Sequence, residues 1–166
     1  MSEINKKELS ETDICDLFIT PAIKDAGWDH MLQIRREVTL SPGPILVRGN
    51  MSARNRKKKK FADYVLSWEP GVPVAVVKAK DNNHIVSHGM QQALGYARIL
   101  QVPSAFSSNG DAFASHNKVP VNGNDIETEF SLESFPIPNE LWTRYKTFHG
   151  IKEDEVKLIV QPNHIN

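Results

Sequence analysis

The stretch Ala62-Asp63-Tyr64-Val65-Leu66-Ser67-Trp68-Glu69-Pro70-Gly71-Val72-Pro73-Val74-Ala75-Val76-Val77-Lys78-Ala79-Lys80 decides the fold. Two apolar, β-branched runs flank Glu69-Pro70-Gly71, which reads as strand, tight turn and second strand. A turn centred between Pro70 and Gly71 predicts that Trp68 faces Pro73, Leu66 faces Ala75, Tyr64 faces Val77 and Asp63 faces Lys78. The two-residue period of a strand sets Lys78 and Lys80 on one face. A carboxylate therefore sits beside two amines at the mouth of an apolar hairpin, and isolated polar groups ending an apolar strand are candidates for chemistry.

On the N-terminal side, Ser10-Glu11-Thr12-Asp13 has the form of a capping box, with Ser at the N-cap and an acid three residues on. Ile14, Leu17, Phe18, Ala22 and Ile23 follow at helical spacing. Pro21 predicts a kink or break, and Gly27 a C-terminal cap. From the residues alone, Glu11 in the first turn reads as a helix-dipole partner. Trp28 to Leu40 alternates loosely and reads as the first strand, ended by Ser41-Pro42-Gly43-Pro44; Ile45 to Gly49 is a short strand or an extended edge. Arg54-Asn55-Arg56-Lys57-Lys58-Lys59-Lys60 holds six of the chain's 20 basic residues. A solvated loop is the ordinary reading of such a run. Its place just before Asp63 favours an arm made of Arg54, Arg56, Lys57, Lys58, Lys59 and Lys60 that contacts DNA phosphates.

On the C-terminal side, Ser87 to Leu100 reads as a helix, with Gln92 and Tyr96 four apart on one face. His84 and His88 share the same spacing but lack a third ligand or a cysteine, so a zinc site is not expected. Val102 to Ser108 reads as a strand and Ser108-Asn109-Gly110-Asp111 as a tight turn into Ala112-Phe113-Ala114. Glu127 to Leu132 reads as an edge strand, and Glu140 to Phe148 as a last helix stopped by Gly150. The expected division is one domain over residues 1–150 and a linker or tail over 151–166. The expected fold is α/β: a central mixed sheet with helices on its faces.

Bulk properties narrow the class without naming it. A chain of 166 residues supports one well-covered core. Hydrophobic content of 40% and charged content of 24% are those of an ordinary globular protein. Twenty Lys and Arg balance twenty Asp and Glu, so global charge argues neither for nor against nucleic acid. No apolar run approaches the ~20 residues of a membrane span, and the first ten residues lack the apolar core of a signal peptide. The lone Cys15, on a helix face expected to be buried, rules out a disulfide within the chain and suggests a reducing cytoplasm.

Asp63 followed by Lys80 at the end of an apolar strand resembles the Asp…(Asp/Glu)-x-Lys nuclease motif. Together with Ala62 to Leu66, Ala75 to Asn83 and Met90 to Ala97, it resembles the N-terminal nuclease domain of the restriction (R) subunit of type I restriction–modification enzymes. The likeness runs from about Glu11 to about Tyr145. It implies a restriction-endonuclease-like core and Mg2+-dependent hydrolysis of double-stranded DNA. It further implies metal ligands at Asp63, at position 78, at the carbonyl of Ala79 and at Glu11, with Lys80 orienting water or stabilising charge. Gln92 and Tyr96 match the Gln-x-x-x-Tyr of a subset of these nucleases. Modification and specificity subunits are the implied partners. ATP would be used only by a motor region, and no Gly-x-x-x-x-Gly-Lys-Ser/Thr loop occurs in this sequence. One position departs from the pattern: the family has Glu where this chain has Lys78. An ammonium cannot ligate Mg2+ while protonated, so weak or no cleavage is expected. The competing expectation is a non-catalytic DNA-binding or assembly module on the nuclease fold.

Overall fold

The computed structural model of the chain describes residues 5–40, 60–119 and 127–151. Six strands form one sheet in the order β1-β2-β3-β4-β5-β6: β1 (Ile34–Leu40), β2 (Lys60–Ser67), β3 (Pro73–Ala79), β4 (Ser104–Ser108), β5 (Ala112–Asn117) and β6 (Glu127–Ser131). Every neighbouring pair is antiparallel except β3 and β4, which are parallel and joined through the helix Met90–Leu100. A parallel pair needs such a crossover because no hairpin can return the chain in the same direction. All five residues of β4, and all of β3 but its first, are buried. Continuous apolar runs are what strands covered on both faces require.

One core layer packs the first and last helices against the sheet through Ile14, Ile19, Ile23, Tyr64, Leu66, Val77, Phe106, Phe113, Leu141 and Trp142. The other packs the Met90–Leu100 helix through Met90, Ala93, Tyr96 and Ala97 against Val65, Val76, Ala105 and Ala114. Asp63 and Lys78 alternate with the first layer's Tyr64 and Val77 along their strands, so both side chains project toward the Met90–Leu100 helix.

The capping box forms as expected. Ser10 Oγ accepts the Asp13 N–H at 3.1 Å, and the Asp13 carboxylate accepts the Ser10 N–H at 3.3 Å. Ser10→Ala should lower stability by about 1 kcal/mol, read from the urea midpoint at unchanged slope. Pro21 does not break the helix. A π-helical turn at Cys15–Ile19 precedes it, so Pro21 falls in the first turn of the α-helical segment Thr20–Asp25, where its missing N–H is tolerated. The buried Tyr64 hydroxyl anchors that turn, donating to the Cys15 carbonyl at 3.3 Å and lying 2.6 Å from Thr20 Oγ1.

Two strand starts differ from expectation. Residues 30–33 form a turn instead of extending β1 back to Trp28, because the Asp29 carboxylate accepts the N–H groups of Met31 and Leu32, both at 2.8 Å. In the central hairpin, Tyr64 faces Val77 and Leu66 faces Ala75 as expected, but Ser67, not Trp68, faces Pro73. The register shifts after Leu66, and the Trp68 N–H donates to the Val72 carbonyl at 2.9 Å. That irregularity frees the Trp68 ring to stack on Trp142, centroids 5.2 Å apart and planes 5° from parallel. The segment Ile45 to Gly49 and the tail after residue 151 lie outside the described residues.

Candidate active site

Asp63 ends its apolar run beside Lys78, and their side chains meet. Lys78 Nζ lies 3.2 Å from Asp63 Oδ2, with each side chain only 8% exposed. The same carboxylate oxygen accepts the Ala79 N–H at 2.7 Å, which pins the aspartate to the end of β3. Glu11, in the first turn of the first helix, reaches over the sheet end to place Oε1 4.0 Å from Lys78 Nζ. Its carboxyl is held above the ordinary carboxylate range, first by burial and then by Asp63, against the opposing pull of Lys78 and Lys80. Lys80 continues past β3 with its N–H donating to the Ser108 carbonyl at 2.9 Å and its side chain partly exposed. Tyr96, buried on the helix above, has its phenol pushed up by burial; Lys78 opposes that shift, and Asp63 and Glu11 add to it.

The structure thus brings together Glu11, Asp63, Lys78, Lys80 and Tyr96. Gln92 lies one helical turn before Tyr96, exposed. Asp81, whose charge adds to the rise of the Glu11 carboxyl, is engaged by its own loop. Its carboxylate accepts the Asn83 N–H at 2.9 Å, a bond that holds it below the ordinary range. His84 and His88 stack on each other at 4.3 Å. Arg54, Arg56, Lys57, Lys58 and Lys59, and the Lys60 side chain, lie outside the described residues. Cys15 is buried, with its thiol pushed up to about 11 by that burial.

Three residues at this site had no sequence signal strong enough to find them. The Phe61 ring lies 5.2 Å from Lys78 Nζ, a cation–π contact. Gly89 packs directly against the Lys78 stem: a Cβ there would stand 2.7 Å from Lys78 Cγ. Ser107, the β4 partner of Lys78, accepts the Gly89 N–H at 3.0 Å and donates to the Val86 carbonyl at 2.8 Å, fixing the loop over the lysine.

A divalent metal needs converging oxygen donors. Among the described residues no group of three His, Cys, Asp or Glu side chains is placed to hold one. Between the two carboxylates that do approach each other stands an ammonium, so the residues as written do not fit Mg2+.

A mixed sheet covered by helices, with an aspartate on one strand and Lys-x-Lys at the end of its neighbour, defines a restriction-endonuclease-like fold. The chain is 42% identical over 161 residues to the type I restriction enzyme EcoAI endonuclease subunit of Escherichia coli, an alignment covering 97% of this chain and 20% of that protein. The fragment structure of an HsdR subunit of a type I restriction enzyme from Vibrio vulnificus YJ016 matches with a TM-score of 0.70 at 34% identity, covering 89% of this chain and 27% of that one. No family model matches the chain. The chain is a homologue of part of the endonuclease subunit, or HsdR, of type I restriction enzymes, and spans 20% of the length of the curated relative. No helix among the described residues is long and apolar enough to cross a membrane.

Proposed function

We propose that this chain is the DNA-cleaving module of a type I restriction subunit, with its hydrolytic centre shut by Lys78. The observation that carries the reading is the Lys78 ammonium, buried and 3.2 Å from Asp63 at the position where the family pattern has a carboxylate. In that pattern Mg2+, held by Asp63 and the acid at 78 with the Ala79 carbonyl and Glu11 beside them, supplies charge neutralisation and an activated water. Here Asp63 is committed to the Ala79 N–H and the Lys78 ammonium instead. Lys80, partly exposed at the strand end, remains free to face a backbone phosphate, and Tyr96 walls the centre from the helix side. Double-stranded DNA is the substrate class. Modification and specificity subunits are the partners, reached through the longer subunit, and ATP would serve only a motor outside this stretch.

The test is nicking of supercoiled plasmid with Mg2+ by this chain and by Lys78→Glu, alone and within a full-length subunit assembled with its partner subunits. The reading expects cutting from the Glu form and none from the Lys form. Equal behaviour of the two would sink it.

The buried ammonium also favours a second reading, a module that grips DNA without cutting it. Its grip would come from the basic run at residues 54–60. Each lysine on a phosphate contributes about 0.9 to the slope of log affinity against log salt. Replacing Lys57 to Lys60 with serine should therefore flatten that slope by about 3 to 4, measured by anisotropy of labelled duplex between 50 and 200 mM KCl. An unchanged slope would place DNA contact elsewhere.

A further inference from the structure

We infer that Lys78 does more than spoil a metal site: its ammonium is a tethered replacement for the divalent cation, and Gly89 is the residue that positions it. The inference rests on the nuclease reading above and adds to it. Charge supplies the first argument. Glu11 and Asp63 bring two negative charges, Lys78 and Lys80 two positive, so the four side chains are neutral as they stand. With Glu at 78 the same four positions would carry a net charge of −2, the amount that one Mg2+ cancels. The single change therefore supplies through the protein the charge that the metal would bring.

Geometry supplies the second. The Lys78 ammonium stands between the carboxylates of two different elements, 3.2 Å from Asp63 on β2 and 4.0 Å from Glu11 on the first helix, with the Phe61 ring on a third side. It links those elements as a shared ion would. Gly89 supplies the third. Its φ of −87° is open to any residue, so it is not there for backbone freedom. It is there for space: a Cβ would stand 2.7 Å from Lys78 Cγ, 3.2 Å from Lys78 Cβ and 3.0 Å from Ser107 Oγ. None of those is the loose end of a flexible chain. The stem of Lys78 therefore runs through a channel that only glycine leaves open.

The test is thermal melting with and without 10 mM MgCl2, using Lys78→Met, which keeps an unbranched apolar stem only one atom shorter but removes the charge. The wild-type Tm should be the same in Mg2+ and in chelator. Lys78→Met should melt about 10 °C lower, because one partner of a buried pair is left alone. It should recover about 4 °C in Mg2+, because the freed carboxylates then accept a diffusible cation. Gly89→Ala keeps every charge and displaces the lysine, so it should move in the same two directions by less, and it serves if Lys78→Met does not fold. A wild-type Tm that rises with Mg2+, or variants that ignore Mg2+, would overturn the inference. The nuclease reading fails separately, if Lys78→Glu binds Mg2+ and still cuts nothing.

Discussion

Lys78→Glu should turn a chain indifferent to Mg2+ into one that cuts DNA in its presence, faster than the unaltered chain by at least about 100-fold, the scale on which single charge-stabilising groups act. The side chain at 78 lies beside Asp63 and within reach of Glu11, at the buried end of a strand whose backbone is pinned by the Ala79-to-Asp63 hydrogen bond. A glutamate there has its Cβ and Cγ in the channel that Gly89 leaves, and it delivers an anionic oxygen one bond short of where the ammonium now sits. Without metal the same variant should suffer. Burial and Asp63 already raise the Glu11 carboxyl, and a further acid at 78 raises it more. Carboxyls raised above their unfolded values favour the fold while protonated and lose that contribution as pH climbs through their folded values. Metal-free Lys78→Glu should therefore weaken steadily from acid toward pH 8, and Mg2+ should flatten the decline. Melting curves across pH, run beside the plasmid assay, separate a centre that binds metal from one that only unfolds. Asp63→Asn on top of Lys78→Glu should abolish the regained cutting.

The largest loss of stability should come from Phe106→Ala, at about 4 kcal/mol in urea titration. Phe106 is fully buried on β4, and its ring centroid lies 4.8 Å from Phe135, 6.3 Å from Phe130 and 6.5 Å from Phe113. Truncation removes the ring that ties β4 to β5, β6 and the loop before the last helix, and neighbouring aromatic rings are too rigid to close the space. Phe130→Ala, on the partly exposed edge strand, should cost clearly less. A Phe106→Ala loss under about 1.5 kcal/mol would mean that the cluster collapses into the gap.

The local chemistry of the chain was enough for its elements. Capping at Ser10 and Asp13, the turn at Gly110 and the helix stop at Gly150 each depend on residues within a few positions, and each forms as read. The pairing of Tyr64 with Val77 and Leu66 with Ala75 followed from strand period and turn residues, for the same reason. The likeness to the nuclease subunits also lay in short words around Asp63 and Lys80, which is why the odd residue at 78 could be noticed at all. Elsewhere distant partners overruled the local pattern. Trp68 leaves its expected place opposite Pro73 at a shift in register and stacks on the distant Trp142. Pro21 sits inside a continuous helix because a π-helical turn anchored by Tyr64 comes before it.

What the sequence determined by itself was the order of elements, the mixed sheet, the likeness to type I restriction subunits and the presence of two lysines, Lys78 and Lys80, at the end of an apolar strand. Only the tertiary structure decided what Lys78 does. A lysine at a strand end is ordinarily solvated, because its charge is cheapest in water. Lys78 is buried because Asp63 comes from the neighbouring strand, Glu11 from the first helix, Phe61 from beside Asp63, and Gly89 clears a path for its stem. Those contacts join residues far apart in the chain, and no local propensity encodes them.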